Sequence, residues 1–159
     1  MTEPPRWNTR TTGPICATRL MENLTKWGGD CTNFVSQCLY AGCGVMNEQP
    51  DSGWYYHGMS RRSPAWTGVA FLRRFLLGNK GSGPYGEMQP VERALPGDMV
   101  LIAFENKAFS HACVVVAGGA RPARVLVAAH TMDCDMRPLD TYAYQTLASI
   151  RILGFRGPA

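Results

Sequence analysis

The sequence predicts an α+β domain in which N-terminal helices pack on a small antiparallel β-sheet. Three observations carry this. Before residue 78, apolar residues recur at three- and four-residue steps in three separate runs. From Leu95 onward the pattern changes to short continuous apolar runs, the mark of buried strands. The breaks between the first of these runs are short and rich in glycine, proline and charge, which joins them as antiparallel neighbours. Helices first and a strand meander second is the α+β order.

Taken in order, residues 1–14 hold Pro4, Pro5, Gly13 and Pro14, with Trp7 as the only large apolar group, and read as an extended arm. The remaining stretch, 15–159, is read as one domain, because 159 residues suffice for one sizeable core and not for two. Ile15, Cys16, Leu20, Leu24 and Trp27 predict a first helix over 15–27, ended by Gly28-Gly29. Asp30 is a good N-cap for a second helix running to about Ala41, with Phe34, Val35, Cys38 and Leu39 as its buried face and Gly42 as its stop. Residues 42–65 read as loop, yet contain Trp54, Tyr55, Tyr56 and His57. Aromatic rings are costly to leave in water, so this cluster is expected to cover either the core edge or a substrate cleft, with Trp54 and Tyr55 as candidate substrate contacts. A third helix is predicted over 66–77, with Arg73-Arg74 outward and Gly78 as its stop, and 79–90 read as loop. Pro96-Gly97-Asp98 is a turn. Strands are predicted over 99–104, 111–117, 124–130 and 149–155, while Tyr142-Ala143-Tyr144 is ambiguous.

Composition excludes several classes of function. Hydrophobic residues at 45% against 18% charged is the balance of a soluble globular domain. No apolar run approaches the roughly 20 residues that span a bilayer. Residues 1–7 lack the apolar core of a signal peptide, so the chain is expected to be cytoplasmic as synthesised, reaching a cell wall only by another route. The net charge of +4 is mild, and no Lys/Arg cluster with interleaved aromatics points to nucleic acid. The six cysteines are read mostly as reduced thiols, since a chain of this size without a signal sequence does not need disulfides. There is no Cys-x-x-Cys pair, and Cys38/Cys43 has no matching pair at zinc-finger spacing, so neither metal nor cofactor is expected. Nothing in the pattern speaks to oligomeric state.

The chemistry points to Cys31. In the first turn of its helix the partial positive charge of the helix end favours thiolate, a far stronger nucleophile than thiol. His111 begins one predicted strand and His130 ends the next. A symmetric hairpin with its turn near 119–122 sets them opposite each other on one sheet face, against which the Cys31 helix would pack. His111 would take the thiol proton and His130 would hold its ring in the useful tautomer. His57 has no such partner and is read as structural.

These residues carry a resemblance. Gly-Gly-Asp-Cys-Thr-Asn-Phe-Val-Ser-Gln-Cys-Leu-Tyr-Ala-Gly at 28–42 resembles the signature of the putative amidase domain family, within the papain-like, NlpC-type group of cysteine amidases and peptidases. Trp54-Tyr55-Tyr56-His57, Trp66-Thr67, Leu95-Pro96-Gly97-Asp98, Ser110-His111 and Ala129-His130-Thr131 follow in the family's order, so the resemblance covers about 15–155. It implies a papain-like fold and a hydrolase acting on peptide or amide bonds of bacterial cell-wall peptides. Cys31 matches the nucleophile, His111 the base and His130 the third polar residue, with Asp133 and Asp135 as competing candidates for that third place. Asp30 and Asn33, beside the nucleophile, are candidate substrate contacts, and Asp30 is equally read as a plain helix cap. The same thiol–imidazole layout would also serve acyl transfer or protein deamidation. A binding module that has lost activity is the reading from another class.

Overall fold

Every strand of the sheet runs antiparallel to its neighbours, and the strand latest in sequence lies inside it rather than at an edge. A computed structural model describes residues 30–105, 108–130 and 134–157 of the chain. The expected arm over 1–14 and helix over 15–27 lie outside the described residues. Among the described residues three helices precede the sheet: α1 (Cys31–Cys43), α2 (Pro64–Thr67) and α3 (Val69–Gly78). Six strands follow: β1 (Gly83–Gln89), β2 (Met99–Ala103), β3 (His111–Ala117), β4 (Leu126–Ala129), β5 (Cys134–Pro138) and β6 (Thr146–Arg156). Their spatial order is β1-β6-β2-β3-β4-β5. The architecture is α+β, and no helix among the described residues is long and apolar enough to cross a membrane.

The sheet is covered on both faces, which is why β2, Met-Val-Leu-Ile-Ala, is apolar without alternation and wholly buried. Met99 and Leu101 of β2, Ala112 of β3 and Ile150 of β6 meet Cys31, Val35 and Leu39 of α1. Val100, Ile102, Cys113, Val115 and Val127 face the other way, under Val91, Ala94 and Leu139. Asp98 pins three elements together. Its carboxylate accepts from the Leu95 backbone N–H at 2.9 Å, from Gln89 Nε2 at 2.8 Å and from the Ile152 backbone N–H at 3.0 Å.

Several boundaries differ from expectation. Helix α1 passes Gly42 and stops at Gly44, which takes the left-handed conformation (φ 64°) and donates its N–H to Tyr40 O. The single helix expected over 66–77 is two, broken at an extended Gly68; a Cβ there would lie 2.9 Å from Phe71 Cδ2. Residues 79–90, read as loop, contain β1, because pairing with β6 outweighs the low strand preference of Gly83, Pro84 and Gly86. Strand β5 was likewise not expected, and the ambiguous 142–144 segment follows a 3-10 turn at Leu139–Thr141.

Candidate active site

Helix α1 is buried on three stripes, and each stripe serves the site differently. Cys31, Val35 and Leu39, four residues apart, face the sheet. Asp30 and Phe34 form the next stripe and meet His130, at the end of β4. Asn33, Ser36 and Tyr40 form the third and meet the tryptophans of the loop that follows α1 and of α2. Cys31 is thus the first helical residue, 7% exposed, with its sulfur 3.8 Å from Thr32 Oγ1. No hydrogen bond joins it to His111 or His130 among the described residues. Such bonds are often long before substrate arrives.

Asp30 occupies the N-cap position but makes no capping bond with its side chain. Its carboxylate is fully buried and turns inward, accepting from Asn33 Nδ2 at 2.7 Å and from His130 Nδ1 at 2.9 Å. An ionised carboxylate only accepts, so Nδ1 is the donor of this bond. The His130 ring stacks on Phe34 with centroids 4.3 Å apart. Sequence reasoning paired His130 with His111 and missed this bond to Asp30; the available signal was an acid immediately before the candidate nucleophile.

The hairpin is one residue out of the expected symmetry. Val114 faces Ala128 and Val115 faces Val127, which brings Ala112, not His111, level with His130. One step along a strand reverses the side chain. His111 pairs with Ile102, and its ring lies 5.7 Å from that of Tyr142 and 6.3 Å from that of Phe104, on the sheet face away from Cys31, Val35 and Leu39. The two imidazoles are therefore not neighbours on one face, as the symmetric hairpin required. An irregularity between Val115 and Ala117 and a 3-10 turn at Pro122–Arg124 set this register.

Two expected substrate contacts are built into the core instead. Trp54 has no exposed surface; it stacks on Trp66 at 4.7 Å, and its indole N–H donates to Ser36 Oγ at 2.9 Å. Asn33 receives the Trp66 indole N–H at 2.8 Å while donating to Asp30, so both ends of its amide are engaged. A buried indole needs an acceptor, and the polar stripe of α1 supplies two. The aromatic cluster covers the core edge. Tyr55 is turned outward between buried Trp54 and Tyr56, its ring 5.8 Å from that of His57. His57 itself meets the Glu48 carboxylate at 2.9 Å. Of the rival third residues, Asp133 lies outside the described residues and Asp135 is exposed on β5.

Burial separates the thiols. It pushes Cys38 up to about 12 and also raises Cys43 and Cys113, all away from thiolate at neutral pH. Cys113 is within electrostatic reach of Cys134, Cys31 and Arg137. Burial, and then the positive charge of Arg137, hold His111 below its ordinary 6.5. Among the described residues, no group of three or more His, Cys, Asp or Glu side chains is placed to hold a metal ion.

Comparison with known proteins adds two findings. A family model described as a putative amidase domain matches residues 17–153. The uncharacterized protein YhbB of Bacillus subtilis (strain 168) is 36% identical over 113 residues, which make up 68% of this chain and 35% of that protein. The match thus spans about a third of the length of that curated relative. No solved structure matches the chain.

Proposed function

Because this chain belongs to the putative amidase domain family, we propose that it is a thiol-dependent amide hydrolase working through an acyl-enzyme on Cys31. The observation that carries this reading is the convergence at one helix start. A thiol stands at the first helical position, a fully buried carboxylate directly before it, and an imidazole nitrogen 2.9 Å from that carboxylate. We read the fold as papain-like, of the NlpC type, because a thiol-bearing helix packed on an antiparallel sheet is what the sequence resemblance implies. Peptides of the bacterial cell wall are the proposed substrate on the same ground.

The chemistry runs as follows. Cys31 gives its proton to an imidazole, and the thiolate forms an S–C bond with the amide carbonyl carbon. The carbonyl oxygen gains negative charge. Among the described residues the first backbone bond of α1 is Phe34 N–H to Asp30 O, and the N–H groups of Cys31 and Thr32 at the helix start suit this oxygen. Collapse breaks the C–N bond, and the imidazolium proton leaves with the amine. Water then attacks the thioester, giving a proton to the neutral imidazole. The S–C bond breaks, an acid departs, and the imidazolium returns the proton to sulfur.

His111 is the base by resemblance, with His130 as the third residue. A second reading, with His130 as base, is favoured by its 2.9 Å bond to the buried Asp30 carboxylate directly before the thiol. Mass spectrometry of peptides released from purified cell-wall fragments tests both. Cys31→Ala is expected to abolish release. His111→Ala is expected to lower kcat by roughly 10²–10⁴-fold, and His130→Ala by less; the reverse ranking transfers the base to His130. A Cys31→Ala protein as active as its parent ends the thiol reading, and a product carrying a new acyl–amine bond marks a transferase.

A further inference from the structure

An aspartate at a helix N-cap ordinarily turns its carboxylate onto the backbone N–H of the second or third helical residue. Asp30 does not. Asn33 is that third residue, and its side chain takes the carboxylate instead, Nδ2 donating to Asp30 Oδ1 at 2.7 Å. The other carboxylate oxygen, Oδ2, is turned to His130 Nδ1 at 2.9 Å. What holds the Asn33 amide in place is Trp66. An indole N–H only donates, so the amide atom 2.8 Å from it is Oδ1, and Nδ2 is the one that faces Asp30. A flipped amide would set donor against donor at the indole and acceptor against acceptor at the carboxylate. Trp66 has no exposed surface and stacks with Trp54 at 4.7 Å and Tyr56 at 5.8 Å, so packing fixes the indole itself. Ser36, on the same stripe of α1, makes a similar contact that leads elsewhere. It accepts from the Trp54 indole at 2.9 Å and donates to Trp66 O at 3.0 Å.

We propose that Trp66 and Asn33 are positioning residues of the Cys31 site. Through Asp30 they fix the orientation and the donor nitrogen of the His130 imidazole at the helix start that carries the thiol. Asn33, expected from the sequence to contact substrate, acts one step behind it. The role is the same whether His130 is the base or the third residue. The proposal rests on the reading of Cys31 as the reactive thiol with His130 as an imidazole of its site.

Two readouts on the full chain test it. One is the set of ring-nitrogen NMR signals of His130, identified by their loss in His130→Gln. The other is the rate at which iodoacetamide labels Cys31 at neutral pH, followed by peptide mapping. Trp66→Phe keeps a ring in the stack and removes the indole donor; Asn33→Leu keeps the volume and removes both bonds. In each, the His130 signals are expected to move from those of a ring donating through Nδ1 toward an average over both nitrogens, and labelling of Cys31 to slow on the order of tenfold. Ser36→Ala is the control for packing, because it strips a buried indole of its acceptor without touching the path to His130. It is expected to lower the thermal midpoint and leave both readouts as in the parent. Unchanged His130 signals, or an unchanged labelling rate, in Trp66→Phe shown by circular dichroism to be folded overturns the positioning role and leaves the thiol reading standing; this variant decides alone where Asn33→Leu does not fold. A Ser36→Ala protein that shifts both readouts equally overturns it too. Labelling of Cys31 in the parent no faster than that of glutathione overturns the thiol reading, and the positioning role with it.

Discussion

A carboxylate without solvent contact is tolerable only when its lone pairs are used, and among the described residues Asp30 accepts from an amide and an imidazole. The result is a polar rivet, running from Trp66 through Asn33 and Asp30 to His130, that holds the start of α1 between loop and sheet. His111 is a different case. Its folded-state proton affinity is depressed, by burial first and by Arg137 second. The unfolded chain therefore binds the proton more readily than the folded one. Stability from this group is intact above about pH 6.5 and is lost as pH falls from there through the lower folded value. Urea midpoints measured between pH 4 and 8, roughly the window around this titration, are expected to fall on the acid side more steeply for the parent than for His111→Gln. At this scale the sequence revealed Cys31 at a helix start and the loop aromatics as buriable. It did not reveal the Asp30–His130 bond, which joins residues a hundred positions apart and leaves no periodic trace.

Among the elements, α1 and β1 depend on glycine for unlike reasons. Gly44 ends α1 at φ 64° with open space around an added Cβ, so only backbone preference is at stake. Gly86 sits where β1 shifts register against β6, and a Cβ there would lie 2.3 Å from Arg151 O. That is an approach no relaxation of a side chain relieves. Gly44→Ala is expected to cost about 1 kcal/mol. Gly86→Ala should cost more, on the order of 3 kcal/mol, by prising β1 from its partner. Chemical denaturation ranks the two, and an equal or reversed order contradicts the register described. The same residues show what was legible. Apolar runs marked β2 and β3 to within a residue, because both faces of the sheet are covered there. Strand β1, with Gly83, Pro84 and Gly86, has no such run and owes its conformation to β6. The histidine hairpin misled by a single step, since turn composition locates a turn but not the irregularity at Val115–Ala117 that sets the register.

For the molecule as a whole, β6 is the keystone. It pairs along β1 on one side and β2 on the other, and its Ile150 enters the core that Cys31 shares. Removing residues 146–159 is expected to abolish the cooperative fold, seen as loss of a sigmoidal thermal transition and early elution on size exclusion; a retained transition would show that β6 is dispensable. The order of helices and of most strands was readable from the chain. This central placement was not, because a terminal apolar run looks the same whether it lies at an edge or inside a sheet.

That placement sets synthesis against assembly. A ribosome releases α1 and β1–β5 before the segment that bridges β1 to β2 has been polymerised. Until then the nascent chain presents two strand edges with unmet backbone groups, and the helix bearing the thiol rests on an unfinished floor. Chaperone demand for this domain should accordingly last until β6 has emerged, rather than fall away as each earlier element appears.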